Sequence, residues 1–281
     1  MSSASHTPHH DNGIKLFGPD GFKLDDKIES EISALAAGSI LLADAPDLGR
    51  ARRMLDSVGR YVEFAKSTLP GRTRFDGLKL VVDCANGAAY RTAPDTLYEL
   101  GAEIVPLAVS PDGLNINENC GAVHPQVMAA AVVAHGADAG ICLDGDADRL
   151  IMADETGKII DGDQILGCLA LAMQERGTLA NNAVVGTVMT NRGLEARLGK
   201  AGIDLHRVAV GDRYIVEKMR QDELNLGGEP SGHMLMTDFA RSGDGLLTAL
   251  QMLTLLKTSG KKASTLFNNF SPNPQRLENL R

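Results

Sequence analysis

Apolar residues recur at helical spacing in the first part of the chain. This spacing is followed, among charged residues, by Ile28, Ile32 and Leu35 and later by Val58. Such spacing places the apolar side chains on one face of a helix. The pattern therefore predicts helical structure over most of residues 25–66.

Short apolar runs alternate with helical patterns after a turn-rich linker at residues 67–76. The predicted strands cover residues 78–84, 103–109, 137–143, 149–154, 157–160, 183–189 and 205–210. The predicted helices cover residues 93–100, 126–134, 163–175, 192–202 and 212–219. Because the pattern restarts near residue 183, we expect an α/β protein with repeated α/β domains and mixed, largely parallel sheets.

The composition narrows the class of protein. The chain has 281 residues, of which 43% are hydrophobic and 23% are charged, as is typical of globular proteins. The net charge of -8 argues against binding to nucleic acid or to an anionic membrane, because both require a cationic surface. The chain contains neither a signal-peptide pattern nor a long apolar stretch. We therefore expect a cytoplasmic protein without nucleic-acid or membrane partners.

The strongest chemical signal is the acidic loop, LDGDADR at residues 143–149. Asp144, Asp146 and Asp148 alternate along it, so an extended loop can direct all three carboxylates toward one centre. Hard oxygen donors suit Mg²⁺ or Ca²⁺. The simpler alternative is a solvated acidic turn, but carboxylates that end a buried strand favour a functional site.

A calcium-binding EF-hand is a further alternative for the acidic loop. Glu155 stands at the twelfth position of such a loop, counted from Asp144. However, Arg149 occupies the position that requires glycine, and strands flank the loop where an EF-hand has helices. The sequence therefore favours Mg²⁺.

Two further loops carry candidate functional residues. The glycine-rich loop, GGEPSGH at residues 227–233, offers Glu229 and Ser231 as hydrogen-bonding groups and His233 as a proton carrier. A plain turn explains this loop equally well. The serine loop, SASHTPHHDNGIK at residues 3–15, offers Ser5 as a nucleophile and Lys15 as a cation, although by itself it is typical of an unstructured terminus.

Taken together and in order, five motifs resemble those of the α-D-phosphohexomutases. They are the serine loop, VVDCANGAA, DGDADR with DGDQI, VGDRY, and GGEPSGH. The stretches VDCANGAAYRTAP and TDFARSGDG are most similar to the glucosamine branch of this family. The resemblance spans nearly the whole chain, and it implies an isomerase of amino-sugar phosphates.

The resemblance also implies roles for individual residues. Ser5 matches the serine that carries the phosphoryl group. Asp144, Asp146 and Asp148 match the ligands of a single Mg²⁺, which the phosphate on Ser5 completes. Lys15 matches an acid or base beside the phosphoserine, and His233 matches a histidine at the sugar.

The remaining matches concern the substrate. Glu229 and Ser231 match residues that bind the sugar hydroxyls, while Arg149 and Arg213 match cationic positions that face the phosphates. The implied reaction interconverts glucosamine 6-phosphate and glucosamine 1-phosphate through a bisphosphate, for the synthesis of UDP-N-acetylglucosamine and cell-wall precursors. A phosphomannomutase or a phosphoglucomutase is the alternative within the family.

The sequence departs from the family pattern in two ways. Thr7 stands where the family usually has asparagine. The resemblance also implies a division into residues 1–66 (the end of a first domain), 67–158, 159–268, and 269–281 (the start of a fourth). On this basis we expect an internal fragment whose residues 1–66 have uncovered apolar helix faces. We also expect its turnover to be impaired. The alternative is a catalytically silent chain that binds metal or a partner.

Overall fold

The computed structural model of the chain describes residues 2–24, 26–39 and 42–276. Residue 25, where the predicted helical region begins, and residues 277–281 of the predicted last segment lie outside the described residues. The strands are β1 Ser2–Ser3, β2 Gly13–Ile14, β3 Lys79–Asp83, β4 Glu103–Leu107, β5 Ala139–Leu143, β6 Leu150–Asp154, β7 Ile159–Ile160, β8 Ala183–Thr187, β9 Asp204–Val208, β10 Leu226–Gly228 and β11 Met234–Met236. The helices are α1 Asp26–Ala37, α2 Ser57–Ser67, α3 Thr92–Glu99, α4 Pro125–His135, α5 Gly162–Glu175, α6 Arg192–Lys200, α7 Asp212–Gln221, α8 Gly245–Ser259 and α9 Ala263–Leu266.

Two mixed sheets form the framework of the described chain. The first has the strand order β4-β3-β5-β6-β7, and the second has the order β11-β10-β8-β9. In the first sheet β3 runs parallel to β4 and β5, whereas β6 is antiparallel to β5 and β7. In the second sheet β8 runs parallel to β9 and β10, and β11 is antiparallel to β10. The α/β fold with mixed sheets that the sequence predicts is thus confirmed.

Burial on both faces explains the apolar runs in the central strands. Every residue of β5 and β6 is buried. On one face α4 packs Met128 and Val132 so closely over Gly140 that a Cβ atom there would lie 1.9 Å from the Met128 sulfur. Helices cover the opposite face as well, and sheets covered on both faces need apolar residues at successive positions.

The structure extends the first sheet past the predicted boundary at residues 158/159. β7 pairs with β6 through Met152 and Ile160, so residues 159–160 add a strand to this sheet. The physical reason is a tight turn in which the Gly157 amide donates to the Asp154 carbonyl and returns the chain along β6. The predicted domain boundaries stay predictions.

The longest helix, α8, was not predicted from the sequence. Eleven of its residues are buried, because it packs against α2 and α5 and contacts strands of both sheets. A helix that is apolar on all sides lacks the one-sided periodicity by which a surface helix is recognised. Asp244 caps its first turn and accepts a hydrogen bond from the Tyr61 hydroxyl of α2 at 2.8 Å.

The described part of the N-terminal region includes the helices α1 and α2 and a small hairpin. α1 lies within the predicted helical region and α2 ends one residue beyond it, and β1 pairs antiparallel with β2. Ile28 and Leu35 of α1 are 40% and 73% exposed, in line with the expectation of uncovered apolar faces. None of the described helices combines the length and the apolar character needed to cross a membrane.

Candidate functional site

The acidic loop makes a tight connection between the antiparallel strands β5 and β6. Asp144 follows the last residue of β5, and its side chain is fully buried. Its Oδ1 atom accepts a hydrogen bond from the Arg149 amide at 3.2 Å, and Ala147 adopts a positive φ of 62° that tightens the turn. This geometry directs the loop carboxylates toward one another.

The three carboxylates of the acidic loop fit a hard divalent cation. One oxygen each from Asp144, Asp146 and Asp148 lies within 4.8 Å of the other two. Asp144 Oδ2, Asp146 Oδ1 and Asp148 Oδ1 are buried without a hydrogen-bond partner among the described residues. Buried oxygens without a partner are costly unless a cation or water completes them, and oxygen donors of this kind suit Mg²⁺.

The pKa values of two of these carboxyl groups, Asp144 and Asp148, are shifted in opposite directions. Burial, together with the charges of Asp148 and Asp146, raises the pKa of Asp144 to about 7. Burial also acts to raise the pKa of Asp148, but His233, Lys15 and Arg149 outweigh it and lower that pKa. The cluster is therefore short of positive charge at Asp144.

Lys15 reaches the acidic loop from the end of the serine loop. Its Nζ atom lies 2.5 Å from Asp146 Oδ2 and 3.4 Å from Asp148 Oδ2. Burial lowers the pKa of Lys15, but the hydrogen bond to Asp146 and the two nearby negative charges outweigh it and raise that pKa. Lys15 is therefore protonated at neutral pH in this arrangement.

Ser5 is held against the acidic loop through its backbone. Its carbonyl oxygen accepts hydrogen bonds from the Gly145 amide at 3.0 Å and from Asn117 Nδ2 at 2.8 Å. Its amide donates to Ser3 Oγ at 2.8 Å, and Ser3 Oγ in turn donates to Asp146 Oδ2 at 2.7 Å. The hydroxyl of Ser5 lies 3.3 Å from His6 Nδ1.

Two glycines allow the backbones of three loops to stack at this point. A Cβ atom on Gly145 would lie 2.4 Å from the Ser5 carbonyl oxygen, and one on Gly87 would lie 2.2 Å from the Gly145 carbonyl oxygen. Both distances are shorter than a van der Waals contact with backbone. These positions therefore require glycine for the serine loop to lie on the acidic loop.

The glycine-rich loop adjoins the acidic loop on its other side. The Leu150 amide donates to the Gly232 carbonyl at 3.0 Å. The backbones of His233 and Arg149 form an isolated antiparallel β-bridge. His233 is only 5% exposed, and its Nδ1 atom lies 3.5 Å from Asp148 Oδ1. The structure thus places the buried His233 ring next to the Asp148 carboxylate.

The predicted substrate-binding residues fall into two groups. The guanidinium of Arg149 lies beside the carboxylates, with Nε 3.9 Å from Asp144 Oδ2.

Glu229 accepts hydrogen bonds from the Gly211 amide at 3.1 Å and from the Ser231 hydroxyl at 3.2 Å. Arg213 lies in the first turn of α7 and pairs with Glu217 at 2.9 Å. The structure therefore links Glu229 and Ser231 to the start of α7, next to Arg213.

Sequence reasoning missed three residues that join these loops: Ser3, Asn117 and Gly145. Asn117 belongs to the stretch NINEN at residues 115–119, in which Asn117 and Asn119 both adopt positive φ. This stretch follows β4, whose carboxyl end lies at the same sheet edge as those of β3 and β5. An asparagine-rich turn at that edge is the signal that could have identified Asn117.

The chain matches three consecutive family models. They describe the phosphoglucomutase/phosphomannomutase alpha/beta/alpha domain I at residues 1–40, domain II at residues 59–157 and domain III at residues 161–273. Among curated proteins, the phosphoglucosamine mutases of Roseobacter denitrificans and Paracoccus denitrificans are 58% and 57% identical to it over all 281 residues. The chain spans 63% of the length of each of these relatives.

Solved structures share the fold. A phosphoglucomutase/phosphomannomutase family protein from Burkholderia thailandensis matches 97% of this chain with a TM-score of 0.78 at 28% identity, over 58% of its own length. The N-acetylphosphoglucosamine mutase of Aspergillus fumigatus, solved with GlcNAc-6P and magnesium, matches 98% of this chain with a TM-score of 0.75 at 18% identity, over 73% of its own length. From these matches and the ordered motifs, we conclude that the chain belongs to the phosphoglucomutase/phosphomannomutase family, the α-D-phosphohexomutases.

Proposed function

We propose that the protein is a phosphoglucosamine mutase, which interconverts glucosamine 6-phosphate and glucosamine 1-phosphate. The observation that carries the proposal is the hydrogen bond between the Gly145 amide and the Ser5 carbonyl, which joins the serine loop to three clustered carboxylates. Curated relatives with this name are 57–58% identical to the chain and add independent support.

In the proposed reaction, the phosphoryl group moves from Ser5 Oγ to the free hydroxyl of the sugar phosphate. The Ser5 O–P bond breaks as Ser5 Oγ takes up a proton, and a new sugar O–P bond forms as the sugar hydroxyl gives up its proton. The sugar thereby becomes a 1,6-bisphosphate. The bisphosphate then turns over, and the Ser5 hydroxyl takes up the other phosphoryl group. Atoms and charge balance over the cycle, because Ser5 ends in its starting state.

The proposed cofactor is one Mg²⁺ per chain, held by Asp144, Asp146, Asp148 and the phosphate on Ser5. The three buried oxygens without a hydrogen-bond partner among the described residues support this assignment. A bound Mg²⁺ would offset the negative charge of the transferring phosphoryl group.

Lys15 and Arg149 are the proposed protein groups at the transferring phosphate. Lys15 is protonated beside Asp146, so it can give a proton to Ser5 Oγ when the phosphoryl group leaves. Arg149 supplies a fixed positive charge within 4.0 Å of Asp148. His233, buried against Asp148, is proposed to orient that carboxylate and to carry protons toward the sugar.

Glu229, Ser231 and Arg213 are the proposed substrate-binding residues. The two hydrogen bonds that Glu229 accepts fix its carboxylate, yet a carboxylate has about four acceptor sites and can still bind the sugar. A carboxylate also favours a positively charged amino group over a hydroxyl. Glu229 therefore supports an amino-sugar phosphate as the substrate, with Arg213 at its phosphate.

Replacement of Ser5 tests the proposed phosphoryl carrier. We expect the wild-type chain, incubated with Mg²⁺ and radiolabelled glucosamine 1,6-bisphosphate, to take up phosphate on the peptide that contains Ser5. In Ser5→Ala this labelling should disappear and any turnover should fall by about a thousandfold or more, because the nucleophilic oxygen is lost. The matched control is Ser110→Ala, which removes an exposed hydroxyl from a neighbouring loop. Labelling that persists in Ser5→Ala would refute the assignment, and no uptake by the wild type would favour the silent alternative.

The pKa of Asp144 predicts how the affinity for Mg²⁺ depends on pH. Asp144 titrates at about 7 without metal, and a cation must displace its proton. Mg²⁺ affinity, measured by calorimetry, should therefore be nearly constant above about pH 8 and fall by about tenfold per unit well below pH 7. Asp144→Asn should bind weakly at every pH, whereas Asp95→Asn, on an exposed turn of α3, should behave as wild type. An affinity that does not change between pH 5 and pH 8 would contradict this account.

Sugar preference separates the proposed substrate from the alternatives within the family. We expect kcat/KM for glucosamine 6-phosphate to exceed that for glucose 6-phosphate and mannose 6-phosphate by about tenfold or more. Glu229→Gln should reduce this preference, because the amide lacks the negative charge that attracts the amino group. Glu175→Gln, at an exposed position at the end of α5, is the control. A higher kcat/KM for mannose 6-phosphate or glucose 6-phosphate would contradict the proposed substrate and favour that sugar instead.

A further inference from the structure

The side chain of Asn117 connects the serine loop to the body of the first sheet. Its Nδ2 atom donates to the carbonyl oxygens of Ser5 and Thr7, both at 2.8 Å. Asn117 is only 6% exposed, so water offers little competition for these two hydrogen bonds. One amide group therefore holds the backbone on both sides of His6.

Asn117 is itself fixed to the end of β3. Its backbone amide donates to the Ala85 carbonyl at 2.9 Å, and Asn86 Nδ2 donates to the Asn115 carbonyl at 3.3 Å. Asn117 adopts a positive φ of 57°, which asparagine tolerates better than most residues. The hydrogen bonds to the serine loop therefore start from a turn that is tied to the segment directly after β3.

Ser5 needs such support because its own backbone is strained. Its φ of 49° lies in the left-handed region, which is unfavourable for a non-glycine residue. Strain of this kind persists only where surrounding contacts fix the conformation. At Ser5 the Asn117 amide and the Gly145 amide both bind the carbonyl oxygen, and together they fix the orientation of the Ser5–His6 peptide.

We propose that Asn117 is a positioning residue that holds Ser5 in its strained conformation on the acidic loop, so that the Ser5 hydroxyl is aligned for phosphoryl transfer. The role in transfer rests on the proposed function, whereas the role in holding the loop rests on the contacts alone. The two are therefore tested by separate measurements.

Asn117→Gly is the informative variant, because glycine keeps the positive φ and removes both side-chain donors without adding charge. Asn119→Gly is the matched control, since Asn119 has a φ of 53° in the same turn, is exposed, and makes no hydrogen bond to the serine loop among the described residues. The pair Asn117→Asp and Asn119→Asp repeats the comparison with nearly unchanged side-chain volume. This second pair decides the question if Asn117→Gly does not fold, as judged by thermal unfolding.

The first measurement is amide hydrogen exchange in the peptide covering residues 2–12 of the full chain. We expect exchange to accelerate by about tenfold or more in the Asn117 variants, because two hydrogen bonds to the loop are lost, and to stay at the wild-type rate in the Asn119 variants. Equal exchange in the two sets of variants would overturn the proposal.

The second measurement is the rate at which Ser5 takes up phosphate from glucosamine 1,6-bisphosphate. We expect the maximal rate in the Asn117 variants to fall by about tenfold or more, with the half-saturating bisphosphate concentration changed by less than about twofold. A purely structural role would leave the maximal rate at its wild-type value, and that result would overturn the role in transfer. If the wild type takes up no phosphate, the proposed function fails, and hydrogen exchange alone decides whether Asn117 holds the loop.

Discussion

The carbonyl oxygen of Ser5 is the point at which the candidate site is assembled. It accepts hydrogen bonds from Gly145 on the acidic loop and from Asn117 on the loop after β4. These contacts bring residues from the beginning of the chain to a sheet edge formed much later in the sequence. Together with the contacts of Ser3 and Lys15 to Asp146, they fix the position of the serine loop on the carboxylates, which the two-stranded hairpin of β1 and β2 could not do alone.

Charge compensation is the second constraint on this region. The acidic loop concentrates three carboxylates beside a buried strand. The positive charges of Lys15 and Arg149 and the imidazole of His233 surround them. These groups lower the pKa of Asp148, whereas the pKa of Asp144 stays raised. A divalent cation would supply the missing positive charge, and the phosphate of a modified serine would in turn be attracted to that cation.

The sequence predicts those features of this structure that depend on local patterns. The alternation of strands and helices and the spacing of the three aspartates are local, so they predict the α/β fold and the acidic cluster. α8 has no one-sided periodicity because it is buried on all sides, and the hydrogen bonds of Ser3 and Asn117 depend on contacts between segments distant in sequence. The short return strand β7 lies within the strand predicted at residues 157–160, whereas its antiparallel pairing with β6 comes from the structure.

The central claim is that the serine loop and the acidic loop form one centre for a phosphoserine and a divalent cation. Electron-nuclear double resonance on the chain, phosphorylated at Ser5 and loaded with Mn²⁺ in place of Mg²⁺, tests it most directly. The account predicts a strong ³¹P hyperfine coupling, as from a phosphate oxygen that binds the metal, and its loss in Asp146→Asn. A metal-loaded, Ser5-phosphorylated chain with no phosphorus coupling would contradict the account.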